Sequence, residues 1–344
     1  MVGLAACVPP DIEENATLPI FEKPSDAANV IASTGIARKR IVRQGTTASD
    51  LCVPAVIKLL EELKWGVTTV DCLVYICQTR DFLAPITSAI LQDRLGLRND
   101  CYCIDMPLGC SGWIYGMSNI ASLLSHGGFK RGLLICGETN SKNRSPFDKT
   151  VKPLFGDAAT VTALEFNSNA EPMFFEFGVD GKGYQAVWTE YGGSRNPVTK
   201  ESIEMKEIES GVVRRGIDMI VNGMDVFSFA IKVPPRSLQN IIEHYNIDTE
   251  KVDFLWLHQA NKYIDERIRK KINMPAEKVK YCLEDFGNTS CASIPLTIVT
   301  RGKDELNGKK MHLACGFGVG LAWGSMYFST ENVKIVELLE YQYQ

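Results

Sequence analysis

The segment Asp105-Met106-Pro107-Leu108-Gly109-Cys110-Ser111-Gly112 joins a strand-like stretch, CYCIDMPL, to a helix-like one, SGWIYGMSNIASLL. A thiol at such a junction faces the positive end and free N–H groups of the helix, which favour thiolate. Gly109 and Gly112 leave room for a substrate, so Cys110 is a candidate nucleophile in the manner of a strand-to-helix elbow. The competing reading is a small buried hydrophobe, the usual state of free cysteine. A nucleophile needs a base or an electrophilic partner. Of the four histidines, His126 precedes glycines at a helix end, His244 closes an amphipathic helix, and His312 lies in the alternating pattern MHLACGF. His258 differs, because it ends the apolar strand of FLWLHQAN, and the carboxyl ends of strands are where α/β proteins build sites. Asn288, in DFGNTSCASIP, is a third polar candidate, with ordinary Gly-Asn turn chemistry as its alternative. The block GFGVGLAWG, Gly316–Gly324, marks a tight turn between strands. At a strand end it also lets backbone N–H groups approach a reacting oxygen.

The elements that must position these groups alternate between helical and extended patterns, which predicts an α/β protein with helices covering sheet faces. The chain is also written twice. Val70-Asp71-Cys72-Leu73-Val74-Tyr75-Ile76-Cys77-Gln78 matches Val252-Asp253-Phe254-Leu255-Trp256-Leu257-His258-Gln259. Leu108-Gly109-Cys110-Ser111 matches Phe286-Gly287-Asn288-Thr289, and GLLICGE matches MHLACGF, so that Cys136 aligns with Cys315. The three blocks keep their order at a spacing of about 180 residues. Two related halves, 1–175 and 176–344, are expected, with Cys110 from the first meeting His258 and Asn288 from the second.

Composition sets the limits. With 344 residues, 45% hydrophobic, 23% charged and a net charge of −4, the chain is ordinary globular material. No basic excess points to nucleic acid, and no apolar run reaches the roughly 18–20 residues of a membrane span. The start, MVGLAACVPP, lacks a basic region and is broken by Pro9 and Pro10, so no signal peptide is expected and the location is read as cytoplasmic. Eleven cysteines without a CxxC pair are expected to be reduced thiols, and no metal site is expected.

Taken in order, GCSG, HQAN, GNTS and GFGxGxxWG resemble the β-ketoacyl-[acyl-carrier-protein] synthase III family of the thiolase superfamily, and STGIARKR near residue 35 and FGDAAT at 155–160 extend the resemblance over residues 1–330. It implies a thiolase-like α/β fold, two duplicated halves forming a five-layer αβαβα sandwich, and a homodimer. It also implies Cys110 as nucleophile and His258 with Asn288 as the decarboxylation and condensation pair, with the N–H groups of Cys110 and Val319 as oxyanion hole. Ala84, Phe227, Asn261 and Gly318 fall at substrate-binding positions. The substrates would be coenzyme A or phosphopantetheine thioesters, an acyl thioester and a malonyl-carrier protein, with no metal or organic cofactor.

Several positions depart from the family pattern. Val319 replaces a glycine in the glycine block, and Asn29 and Ser33 stand where a tryptophan and an arginine commonly hold coenzyme A, with Lys149 near a second arginine position. Ala84 stands where a phenylalanine often closes the acyl pocket, which predicts an acyl group larger than acetyl unless Phe82 or Leu83 fills the space. Ser228 and Tyr263 replace basic carrier-docking residues, yet Lys262, Arg267, Arg269, Lys270 and Lys271 offer a basic helix face to an acidic carrier, if that face is not simply solvated. The alternatives are an acyltransferase that passes the Cys110-bound acyl group to a hydroxyl or amine, and a non-catalytic partner subunit. Retention of Cys110, His258 and Asn288 together disfavours the second. A thiolase, needing a catalytic cysteine in the last glycine block, is disfavoured because Cys136 and Cys315 read as paired strand-packing residues. Residues 331–344 lie beyond the resemblance and have no functional reading.

Overall fold

The computed structural model describes residues 1–126 and 128–343. Its strands fall into two main sheets. In the first, Lys334–Ile335, Gly3–Val8, Asp157–Glu165, Arg131–Thr139, Cys72–Ile76 and Tyr102–Met106 lie side by side in that order, with Leu339–Glu340 also pairing with Gly3–Val8. In the second the order is Phe254–Leu257, Lys309–Gly318, Ala322–Glu331 and Phe174–Val179. The duplication is visible in the pairing. Cys72–Ile76 runs parallel to Arg131–Thr139, which is antiparallel to Asp157–Glu165, itself antiparallel to Gly3–Val8. Phe254–Leu257, Lys309–Gly318, Ala322–Glu331 and Phe174–Val179 repeat that parallel, antiparallel, antiparallel series. The parallel edge strand Tyr102–Met106 has its counterpart in a single bridge between Leu255 and Val279.

The register corrects one feature of the sequence alignment. Cys72 pairs with Gly132 and its counterpart Phe254 pairs with His312, so Cys136 corresponds to Gly316 and not to Cys315. A one-residue offset turns a strand side chain to the opposite face. Cys136 accordingly packs between the sheets, and Cys315 packs on the outer side of its own sheet.

Strands buried on both faces need apolar residues at every position, and the alternation of side chains then feeds two different cores. Cys72, Val74 and Ile76 point to the centre of the molecule, while Leu73, Tyr75 and Cys77 point outward to the helix Ala48–Leu63. That helix begins with a reciprocal capping box between Thr47 and Asp50 and buries Leu51, Cys52, Ala55, Val56 and Leu59 at helical spacing. In the second sheet Phe254 and Trp256 face the centre, while Leu255 and Leu257 face the helices Val233–His244 and Lys262–Lys271. Between the sheets lie the helix Gly112–His126 and the helix Ser293–Thr297, which runs on through Ile298–Gly302. A helix enclosed by two sheets must be apolar around most of its surface, as Trp113, Ile114, Met117 and Ile120 show. The result is a five-layer αβαβα sandwich.

The chain passes from the first sheet to the second between Glu165 and Phe174, and the last strands, Lys334–Ile335 and Leu339–Glu340, return to the first. The C-terminal residues without a functional reading therefore extend a sheet edge beside Gly3–Val8. His312 is structural: it is buried, accepts from Trp256 Nε1 at Nδ1 (3.0 Å) and meets Thr330 Oγ1 at Nε2 (2.7 Å). No helix among the described residues is long and apolar enough to cross a membrane.

One buried group works against the fold. Asp265, on the inner face of Lys262–Lys271, is fully buried and neither carboxyl oxygen has a hydrogen-bond partner among the described residues. The neighbouring Ala260 N–H already donates to His258 O (3.0 Å). Burial pushes the Asp265 carboxyl well above its ordinary value. A folded-state pKa above the unfolded one means that the native form is favoured at low pH and penalised as pH rises. Asp265→Asn is expected to stabilise the protein by about 1–3 kcal/mol at pH 7.5, with the gain fading towards pH 4. Thermal unfolding of both proteins across that range checks it; an equal shift at both ends would place the effect elsewhere.

Candidate active site

Cys110 sits between the strand Tyr102–Met106 and the helix Gly112–His126, in a turn closed by Gly112 N–H donating to Gly109 O (2.8 Å). The turn is packed without slack. A Cβ on Gly112 would lie 2.3 Å from Ile76 Cγ2, and one on Gly109 would lie 2.6 Å from Gln78 Oε1. From the other half, a Cβ on Gly318 would stand 2.8 Å from both Cβ and Sγ of Cys110. The glycine block is thus seated directly against Cys110, where no side chain fits. Its Val319 N–H, together with the N–H of Cys110, points at the sulfur.

Asn288 is held on the opposite side by main-chain contacts. Its N–H donates to Leu154 O (2.8 Å), and its carbonyl accepts from Gly156 N–H (3.1 Å). This docking explains FGDAAT, since a Cβ on Gly156 would fall 2.1 Å from Phe286 O. Gly287 (φ +64°) and Ser290 (φ +54°) turn the chain through the left-handed region around the asparagine. Asn288 Oδ1 accepts from Ser290 N–H (2.8 Å), so its amide NH₂ is the end left to act as a donor.

His258 follows the last residue of Phe254–Leu257 and is fixed by its N–H on Cys315 O (2.9 Å). The ring stands edge-on to Phe317 at 5.4 Å. Its Nδ1 lies 2.7 Å from Ser293 Oγ, which also accepts from Gln259 N–H (3.4 Å). A hydroxyl that accepts from an amide is free to donate to Nδ1, which leaves the proton of the neutral ring on Nε2 as a donor. Ser290 connects the three groups. Its hydroxyl is 3.9 Å from Cys110 Sγ, its N–H binds Asn288, and its backbone meets the His258 ring. Neither Ser290 nor Ser293 was singled out from sequence, although both lie within the quoted GNTSCAS run; serines in a turn carry no signal of their own.

The electrostatics correct one expectation. Burial pushes the Cys110 thiol up to about 11, outweighing the contacts with Ser290, Val319 N–H and its own N–H that favour thiolate. The helix end does not win, because the sulfur is enclosed by both halves. Burial also drives His258 down to about 3, so the resting site holds a neutral thiol and a neutral imidazole. Alkylation of Cys110 by iodoacetamide is expected to rise about tenfold per pH unit from pH 7 to 10. Peptide-level mass spectrometry resolves it from other cysteines, and a plateau below pH 9 would show a lower thiol pKa.

The remaining sequence candidates occupy the surface around this centre. Asn261 caps Lys262–Lys271 by accepting from Ile264 N–H (2.9 Å). With Ala32, Ser33, Thr34, Lys262, Tyr263 and Glu266 it lines a hollow of about 490 Å³. Phe227 stacks on Tyr263 (5.9 Å), beside Arg267, which donates to Tyr263 OH (2.6 Å). Arg269 is occupied by Glu266 (2.7 Å), whereas Lys262, Arg267 and Lys270 have no ion-pair partner among the described residues. Lys149 packs along Gly211. Ala84 is not brought to Cys110 within one chain; it stands in the exposed loop before Thr87–Arg94, where Phe82 is 61% and Leu83 84% exposed.

Comparisons with known proteins identify the family. The family described as 3-Oxoacyl-[acyl-carrier-protein (ACP)] synthase III matches residues 104–181, and its C-terminal counterpart matches residues 242–330. The chain is 31% identical over 326 residues to the beta-ketoacyl-[acyl-carrier-protein] synthase III of Streptococcus agalactiae, covering 94% of this chain and 96% of that one. It is 30% identical to the protein of that name from Rhodopirellula baltica, covering 95% and 97%. The crystal structure of a 3-oxoacyl-(acyl-carrier protein) synthase from Burkholderia xenovorans superposes with a TM-score of 0.91 at 33% identity, covering 98% and 96%. With relatives of this kind along nearly its whole length, and with a cysteine, an imidazole and an amide brought together from duplicated halves, this protein belongs to the β-ketoacyl-[acyl-carrier-protein] synthase III family of condensing enzymes.

Proposed function

We propose that the protein joins a Cys110-bound acyl group to a malonyl thioester by decarboxylative Claisen condensation. The observation that carries this reading is the meeting of Cys110, His258 and Asn288 around Ser290. The Cys110 sulfur, on losing its proton, attacks the carbonyl carbon of an acyl thioester, and the N–H groups of Cys110 and Val319 receive the oxyanion. The donor thiol leaves with the proton. A malonyl thioester then binds with its carbonyl oxygen on His258 Nε2–H and Asn288 Nδ2–H. Breaking the bond to CO₂ leaves its electron pair in the enolate. The enolate carbon attacks the acyl-Cys110 carbonyl, a C–C bond forms, and the Cys110 sulfur departs and is reprotonated. The thioester and the loss of CO₂ supply the driving force, so the reading needs no metal or organic cofactor.

The finer features follow the same reading. Within a homodimer whose partner carries this exposed loop to the acyl end, alanine at position 84 favours an acyl group larger than acetyl. Lys262, Arg267 and Lys270, without an ion-pair partner among the described residues, fit an acidic carrier protein beside the hollow. A homodimer would use the edge strand Tyr102–Met106 and cover Phe82, Leu83 and Ile86, all exposed in one chain. Eleven cysteines, all free thiols, fit work in the reducing cytoplasm. A second reading, acyl transfer to a hydroxyl or amine, rests on Asn29 and Ser33, both exposed and poorly suited to stacking an adenine.

Intact-protein mass after exposure to a panel of acyl-coenzyme A and acyl-carrier donors, followed by a malonyl-carrier chase, separates the two. An adduct on Cys110 that is consumed into a β-ketoacyl thioester supports condensation. An adduct that persists through the chase but is released to an alcohol or amine supports acyl transfer.

A further inference from the structure

Beside the nucleophile lies a buried cation that the condensation does not use. Arg144 is 5% exposed and lies flat over Phe155, with its guanidinium carbon 4.2 Å from the ring centroid. One of its terminal nitrogens donates to Asn140 Oδ1 (3.1 Å), and the other donates to Asn143 Oδ1 and Asn143 O. Its Nε has no partner among the described residues, and neither has Nδ2 of Asn140, a residue only 2% exposed. Two buried donors from adjoining side chains are thus left without an acceptor.

The carboxylates in the neighbourhood are engaged elsewhere. Asp148 pairs with Arg214 (3.3 Å) and Asp218 with Arg215 (2.6 Å), while Asp157 accepts from Val42 N–H and the Ser141 N–H and hydroxyl. Glu138 accepts from Gln78 N–H (2.9 Å), Thr79 N–H (3.2 Å) and the Thr79 hydroxyl (2.7 Å). The guanidinium is held by two amide side chains, the Asn143 carbonyl and a ring, and Glu138 attracts its charge without bonding it, so an acceptor that completes the unmade hydrogen bonds gains strongly.

The cluster is linked to the catalytic centre directly through Phe155 and electrostatically through Glu138, which attracts the Arg144 charge. Gln78, on Glu138, is the residue against which Gly109 packs next to Cys110. Phe155, under Arg144, pairs through its backbone with Asn288. A hollow of about 490 Å³, lined by Gln78, Thr79, Lys142 and Asn143 among others, opens beside it.

We propose that Asn140 and Arg144 select acyl groups that carry an oxygen acceptor, a carboxylate or a ketone, at the end remote from the thioester. The proposal rests on the acyl-Cys110 reading above and names the substrate class of that same site. A plain hydrocarbon tail leaves both donors unpaired, which is the circumstance in which polar sites reject apolar analogues most strongly. Arg144 and Asn140 are specificity residues: they meet the far end of the acyl group and leave the bond-making atoms to Cys110.

The test compares the rates at which glutaryl-, 4-oxopentanoyl- and pentanoyl-coenzyme A acylate Cys110, read by intact mass in the full-length protein. Both oxygenated donors, or one of them, are expected to react about tenfold or more faster than pentanoyl. Faster glutaryl transfer identifies a carboxylate as the preferred acceptor, faster 4-oxopentanoyl transfer identifies a ketone, and equal rates show that either oxygen completes the donors. Asn140→Leu and Arg144→Met are each expected to collapse that ratio, because a merely structural defect would slow all three donors alike. Pentanoyl capture as fast as the others in the unaltered protein, with a ratio unmoved in Asn140→Leu, overturns the proposal while leaving the acyl-enzyme intact. No adduct from any donor overturns the acyl-enzyme reading and this inference with it.

Discussion

Cys110→Ser is expected to abolish covalent acyl capture, with a loss of at least about a thousandfold in the acylation rate. The size of the effect follows from the site's neutrality. The Cys110 thiol, at about 11, still ionises at a useful fraction and its thiolate is intrinsically nucleophilic. A serine hydroxyl at the same point has no comparable route. His258 is too weakly basic, at about 3, to take its proton, and Nδ1 is already committed to Ser293. The substitution is nearly isosteric in a turn where space is fixed by Gly109, Gly112 and Gly318, so folding is expected to be unaffected. Intact-protein mass with and without the substitution measures the loss. Cys136→Ala, which removes a central packing thiol in the strand Arg131–Thr139, is the control that keeps capture. Unchanged capture in Cys110→Ser would remove the thiol from the reaction.

The sequence made some of this legible for a physical reason: a strand that ends in a polar residue is unusual when the strand is otherwise apolar. FLWLHQAN announced His258 in that way, and the internal repeat then carried the comparison from Cys110 to Asn288. The repeat also held the fold, since the same strand pairing recurs in both sheets. What it could not hold was register to the residue, because the two copies differ in strand length, and GLLICGE against MHLACGF slipped by one. Burial of the site was equally invisible. The helix end near Cys110 suggested thiolate, and only the closure of Gly318 and Val319 over the sulfur shows desolvation to be the stronger effect. Ala84 stands in a surface loop, a position that a linear motif does not reveal. Asn140 and Arg144 belong to no motif at all; their meaning depends on the hydrogen bonds they lack.

His258→Ala is expected to separate the two half-reactions. Acyl capture should stay within a fewfold of the unaltered rate, while decarboxylation of a malonyl thioester falls by about 10²–10³. On the proposed mechanism, capture depends on Cys110 and on the N–H groups of Cys110 and Val319 that point at its sulfur, and not on the imidazole. Decarboxylation depends on donors aimed at the thioester oxygen as charge develops there, and removal of one of two such donors carries that range of cost. The imidazole acts without becoming charged. With its pKa near 3, it remains neutral from pH 5 to 9, so decarboxylation should show no inflection near the ordinary histidine value of 6.5. Asn288→Ala is expected to give the same split, because Ser290 holds its Oδ1 and the proposed mechanism assigns its NH₂ to the same oxygen. The double substitution should cost less than the product of the two single losses, as for groups that act as a unit. Release of CO₂ and the mass of the acyl-enzyme, followed in parallel, provide the measurement. Equal loss of both half-reactions in His258→Ala would make the histidine a general base for Cys110, which its burial and its bond to Ser293 argue against.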